Sequence, residues 1–238
     1  MNAVLFDLDD TLFDHRESAR AALRTVHAAH AATSDFAEFE RHHTHYLEEM
    51  HLEVLAGRVG LDEARRERFR RVFRALGVAL GESQADIVAS AYRTGYLVAR
   101  RPLDGAAELL AALKPHARIA VVTNNLLEEQ QDKLAFCRLT SYVDELVASE
   151  DVGVSKPDPR IFEIALERVG ASPAEAVMVG DSWANDVAGA HAFGIRAIWF
   201  NPDRIPRPSV PAGIEELHSL APAAEVAALL LGATRTSS

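Results

Sequence analysis

Five short, largely apolar runs restrict this chain more than any other feature. Residues 3–6, 118–122, 145–148, 176–179 and 196–200 are each too brief for a helix and match the length of a buried strand. Beyond Pro102 they alternate with amphipathic stretches at about 104–113, 127–138, 159–169 and 184–193. Strand–helix alternation of this kind closes by right-handed crossovers into a parallel sheet, so the expected fold class is α/β. Punctuation supports the reading. Asp158-Pro159 supplies a cap and a first-turn proline with Gly170 as the stop, and Asp104 is expected to cap the helix that follows it. Residues 202–211 read as a proline-rich surface loop before a last helix at about 221–231 and a frayed tail.

Between residue 16 and residue 101 the pattern changes. Leu61, Ala64, Phe69, Val72, Phe73 and Leu76 recur at helical spacing, and Ser83-Gln-Ala-Asp86 reads as a capping box before Ile87, Val88, Ala91 and Tyr92. The chain is therefore expected to form a core from residues 1–14 and 101–238, interrupted by a helical domain at 15–100. Hydrophobic residues make up 48% of the sequence, which excludes a disordered chain, and the formal charge of −10 opposes binding to polymeric nucleic acid or an anionic membrane face. Cys137 is the only cysteine, so neither an intrachain disulfide nor a thiolate metal cluster can form. No apolar stretch approaches a membrane span, and Asp7 follows too soon for a signal peptide, so a soluble cytoplasmic protein is expected. Only Lys114, Lys133 and Lys156 among the 25 Lys+Arg are lysines, which leaves few candidates for lysine-dependent chemistry.

Ligands of an open parallel sheet bind beyond the carboxyl ends of its strands. Four polar groups stand there or at a helix start: Asp7-Leu-Asp9-Asp10-Thr11, Thr123-Asn124-Asn125, Ser155-Lys156-Pro157, and Gly180-Asp181 with Asp186. Asp7 and Asp9 are two apart, so both carboxylates leave one face of an extended backbone. Such crowding needs a cation or a shared proton to relieve it. With Asp181 added, the donors are all oxygen, the set that Mg²⁺ prefers. Thr123 and the amides near the next helix start suit a phosphate oxygen, and Lys156 can neutralise it. Taken singly each group has a plainer explanation, as a turn, a helix cap or a solvated lysine. Their joint occurrence in this order does not.

These residues resemble the four motifs of the haloacid dehalogenase superfamily of hydrolases: Asp7-Leu-Asp9-Asp10-Thr11, Thr123, Lys156, and Asp181 with Asp186 in Gly-Asp-x4-Asp. The helical block resembles that family's cap of the first type. The resemblance implies a doubly wound, Rossmann-like core with its first strand central and an inserted α-helical cap domain. It also implies two-step phosphoryl transfer. Asp7 would be the nucleophile, and Asp9 the acid and then the base. Thr123, Asn124 and Lys156 would bind the phosphoryl group. Asp7, the backbone carbonyl of Asp9 and Asp181 would bind Mg²⁺, with Asp186 supporting that shell.

Single residues choose among branches of the family. Dehalogenases lack an acid two residues after the nucleophile, so Asp9 favours a phosphatase. Phosphonate-cleaving members need a cap lysine, and residues 15–101 contain none. Phosphomutases share every core motif, and a non-catalytic binder would need neither Asp7 nor Asp9. The expected partner is a small phosphorylated metabolite, such as a sugar phosphate, phosphoglycolate or a nucleoside monophosphate, and the expected state a monomer or homodimer. The segment Arg41-His42-His43-Thr44-His45 with His51 is expected to be a solvated helix face rather than a metal site.

Overall fold

The computed structural model describes residues 2–208 and 213–232. The end of the proline-rich loop and the tail after residue 232 lie outside them. The chain divides into two compact units, one built from residues up to 14 and from 101 onward, the other from 15 to 100.

Among the described residues the first unit holds six strands: β1 (Ala3–Phe6), β2 (Arg118–Thr123), β3 (Glu145–Ala148), β4 (Ala176–Gly180), β5 (Arg196–Phe200) and β6 (Glu215–Leu217). Their order is β3-β2-β1-β4-β5-β6, and every pairing is parallel. The sheet is thus doubly wound with β1 near its middle, and the connections reverse direction between β1 and β4. Leu5, Val122 and Met178 pack with Ile161, Phe162 and Val187 on one face, and the alternate residues Val4, Phe6, Val121, Val177 and Val179 are buried as well. Burial on both faces is why these strands read as continuous apolar runs. The sheet topology and the flanking helices are those the motifs implied.

The second unit is helical: α1 (His15–His30), α2 (Phe36–Leu55), α3 (Leu61–Ala75) and α4 (Glu82–Ala99). α1 packs mainly on α4 and α2 on α3. Helices of the first unit are α5 (Ala106–Leu113), α6 (Leu127–Phe136), α7 (Ser149–Val152), α8 (Pro159–Val169), α9 (Gly189–Ala192) and α10 (Ala223–Leu230). Where the chain leaves and re-enters this unit, Phe13 bridges Pro102 in antiparallel fashion and Arg101 Nη2 lies 2.6 Å from Asp14.

Several local expectations need correction. Asp104 does not cap α5; Gly105 precedes that helix with φ 86°, and a Cβ there would come within 3.1 Å of the Leu220 backbone. α4 begins at Glu82 rather than after Ser83, because Gln84 Oε1 accepts the Gly81 N–H at 3.1 Å and anchors the first turn earlier. The helix expected at 184–193 opens as a π turn, Trp183–Ala188, before α9. Strand β6 carries no apolar run: it is a three-residue, half-buried edge, Glu-Glu-Leu, recruited by β5. The histidine segment is not wholly solvated either. His43 is buried against the rings of Phe69 and Tyr92. Among the described residues, no helix is long and apolar enough to cross a membrane.

Candidate active site

The site lies where the connections reverse. β1 ends into a tight turn that sets Asp7 beside the end of β4, with the Asp7 N–H donating to the Val179 carbonyl at 2.9 Å. Thr11, fully buried, accepts the Asp181 N–H on its Oγ1 at 3.1 Å, so the loops after β1 and β4 are joined directly. Trp199 Nε1 donates to the Asp181 carbonyl at 2.9 Å. Asp186 arrives on the π turn, whose first residues are capped by Ser182, and its Oδ2 accepts the Ser182 N–H at 3.0 Å. Gly180 makes room for it: a Cβ on Gly180 would sit 2.3 Å from Asp186 Oδ2. π turns occur often at functional sites because the extra residue re-aims one side chain, and here that side chain is Asp186.

Lys156 is almost fully buried between Asp7 and Asp186. Its Nζ lies 2.6 Å from Asp7 Oδ1 and 2.7 Å from Asp186 Oδ1, and it donates to the Val122 carbonyl at 2.6 Å. Burial alone would push this ammonium down, but Asp186 and Asp7 outweigh it and hold the group above its ordinary value. Asn124 fixes the lysine's backbone from both sides. Its Oδ1 accepts the Lys156 N–H at 2.7 Å, and its Nδ2 donates to the Lys156 carbonyl at 2.8 Å. The side chain expected to bind phosphate is thus engaged in shaping the lysine turn.

Asp7, Asp181 and Asp186 each offer an oxygen within 4.8 Å of the others. Three carboxylates gather where one ammonium pairs with two of them. Burial, with Asp186 and Asp181 adding to it against Lys156, raises the Asp7 carboxyl well above its usual range. Two further positive charges would balance the cluster, and its donors are oxygen only, so the residues fit a hard divalent cation of the Mg²⁺ type.

Asp9 belongs to a second cluster. Its carboxylate is not among the three that converge; it turns toward α6, where Lys133 Nζ lies 2.5 Å from Oδ1. Gln130 Nε2 and Asn125 Nδ2 donate to Oδ2 at 2.9 and 3.1 Å. The Gln130 amide also donates to Thr123 Oγ1 at 3.0 Å. Thr123, Gln130 and Lys133 are all buried. The structure therefore brings Asp7, Lys156, Asp181 and Asp186 together, with Asp9 and Thr123 linked beside them through Gln130. Asn125 lies in one of the polar groups singled out from the sequence, whereas sequence reasoning assigned no role to Gln130 or Lys133. The signal was present: Gln130 and Lys133 are three apart, hence on one helix face, and share the buried side with Leu134.

The sequence profile of the haloacid dehalogenase-like hydrolases matches residues 1–194. The chain belongs to that family. A ribulose-1,5-bisphosphate 5-phosphatase of Halopiger xanaduensis is 33% identical to this hydrolase over 210 residues, 84% of either chain. The pyrimidine 5'-nucleotidase YjjG of Escherichia coli is 41% identical over 101 residues, 42% of this chain and 45% of that one, so the match spans under half of that relative's length. Among solved structures, the magnesium-bound HAD-hydrolase YfnB of Bacillus subtilis shares the fold at a TM-score of 0.74 and 24% identity, covering 97% of this chain and 98% of that one. A 2-haloacid dehalogenase of Pseudomonas syringae does so at a TM-score of 0.63 and 26% identity, covering 96% and 99%. This hydrolase thus resembles both phosphatases and dehalogenases.

Proposed function

We propose that this hydrolase is a Mg²⁺-dependent phosphatase that cleaves small phosphomonoesters through an aspartyl-phosphate on Asp7. The observation that carries the reading is Asp9: a second carboxylate two residues from the nucleophile, held apart from the metal-type cluster and tied through Gln130 to Thr123. Displacement of a halide needs no proton donor. Departure of an alkoxide does, and a separately anchored carboxylate can supply it.

In the first step an Asp7 oxygen attacks phosphorus, the bond to the leaving oxygen breaks, and Asp9 gives that oxygen its proton. In the second, water attacks phosphorus while Asp9 takes its proton, and the bond to Asp7 breaks to release inorganic phosphate. Thr123 holds the transferring group, and Lys156 offsets its charge while keeping Asp7 and Asp186 in place. Asn124 contributes by fixing Lys156. Asp7, Asp181 and the carbonyl of Asp9 would hold Mg²⁺, with Asp186 behind them. When bound, that ion offsets negative charge on the phosphoryl oxygens. Covalent catalysis suits a reaction whose uncatalysed rate is among the slowest known.

Residues 15–100 serve as the cap domain that selects the leaving group. Its lack of lysine argues against a Schiff-base chemistry there. The named relatives act on a phosphorylated sugar and on nucleotides, so both classes lead the substrate candidates. We place the enzyme in the cytoplasm. The test measures phosphate release from p-nitrophenyl phosphate and a panel of sugar phosphates, phosphoglycolate and nucleoside monophosphates, with and without Mg²⁺, alongside halide release from 2-chloropropionate. Mg²⁺-dependent phosphate release is expected. Halide release without phosphate release would replace the phosphatase by a dehalogenase.

A further inference from the structure

The contacts of Asp9 ask more of α6 than packing does. Gln130 is fully buried, and among the described residues its Oε1 has no hydrogen-bond partner while Nε2 serves two acceptors, Asp9 Oδ2 and Thr123 Oγ1. Flipping the amide would set its oxygen against the Asp9 carboxylate, so the observed orientation is the one that serves Asp9 even though it strands an acceptor. Lys133 is equally unusual. Its side chain is 5% exposed, its ammonium lies 5.2 Å from the Phe13 ring centroid, and it reaches one oxygen of Asp9 while Gln130 and Asn125 hold the other. A helix chosen for stability alone would bury apolar side chains at both positions.

We infer that Lys133 and Gln130 are positioning residues for the proton-transfer step: they lock the Asp9 carboxylate in one orientation and couple it, through the shared Gln130 amide, to the seat of the phosphoryl group at Thr123. Both oxygens of Asp9 are held from the α6 side, so the carboxylate cannot swing toward the cluster of Asp7, Asp181 and Asp186. Because Gln130 bridges the two, the proton donor and the phosphoryl seat keep a fixed separation. This inference rests on the reading of Asp9 as the acid, and it assigns function to two residues that touch neither phosphorus nor metal in that scheme.

The experiment compares kcat and KM on phenyl phosphate, a poor leaving group, and p-nitrophenyl phosphate, a good one, in the full-length enzyme with Mg²⁺. Lys133→Met should lower kcat on phenyl phosphate by about 10²-fold, toward the loss of general acid catalysis, while costing p-nitrophenyl phosphate far less and leaving KM nearly unchanged. Lys133→Arg should restore much of the loss. In an Asp9→Asn background Lys133→Met should have almost no further effect, because neither residue contributes without the other. Gln130→Met should show the same leaving-group dependence and serves as the second probe if Lys133→Met does not fold. Equal losses on both substrates, or losses that multiply with that of Asp9→Asn, would overturn the positioning role. An Asp9→Asn enzyme that slows both substrates equally would instead overturn the acid role of Asp9, and with it the premise.

Discussion

At the scale of single residues, the site is an arrangement of charges that could not coexist without one another. Lys156 is surrounded by Asp7 and Asp186, and Asp7 is driven up by burial and by its neighbouring acids. Replacing Asp7 by Asn removes the proposed nucleophile while relieving part of that crowding. Turnover should vanish, yet the metal-free variant should melt no earlier than the parent, as followed by circular dichroism. Gly180→Ala should act in the opposite way. The added methyl meets Asp186 at 2.3 Å, and because Asp186 is held by Lys156 and the Ser182 N–H, it can yield only by breaking those contacts. Overpacking of this kind costs about 1–3 kcal/mol. A fall in denaturation midpoint accompanied by at least a tenfold loss of kcat is expected. Unchanged activity would show that Asp186 is free to move.

At the scale of elements, the buried polar residues sit on helices whose other faces look ordinary. In α2, His43 is packed against Phe69 and Tyr92, and the Arg68 guanidinium lies 4.8 Å from the Tyr92 ring centroid. Burial, with Arg68 and His15 adding to it, holds the His43 imidazole well below its ordinary value. In the unfolded chain His43 takes up a proton as pH falls through about 6.5, whereas its buried imidazole in the folded unit does so only at lower pH. The stability of that unit should therefore be full above this pH and decline steadily below it. Urea titrations of the whole protein at pH 8 and pH 5.5 check this, and His43→Gln, neutral throughout, should flatten the difference. A wild-type midpoint that holds steady between those values would contradict it. The many ion pairs along α3, such as Arg66–Glu63 and Arg71–Glu67, are exposed or half-exposed and contribute little.

At the scale of the whole molecule, the sheet assembles the site from segments far apart in the chain. Asp7 leaves β1, Asp181 leaves β4, and β1 and β4 are neighbours only because the connections reverse between them. Three acids meeting one ammonium leave an excess of negative charge that a divalent cation would remove. Mg²⁺ should raise the melting temperature as well as support activity, with about 2.7 kcal/mol of added stability at a hundredfold excess over its dissociation constant. Chelation should abolish activity. Ca²⁺, with its looser coordination, should stabilise without restoring full turnover. Full turnover in exhaustively chelated enzyme would remove the metal from the scheme.

The sequence by itself determined the five strands and the residues at their carboxyl ends, because a short apolar run that stops at polar residues is a local signal, written in burial and backbone geometry over a few residues. It determined likewise the cap and stop of α8, where Asp158 accepts the Arg160 N–H and Gly170 adopts φ 67°. Only the tertiary structure decided the partners of Asp9, which come from α6 more than a hundred residues later, and the burial of His43 within a segment that reads as polar. β6 belongs there too, since three half-buried residues become a strand only through the edge that β5 offers them. Periodicity reports which face of an element is buried. What that face meets depends on how the elements cross, and that is settled only when the whole sheet and its helices have closed.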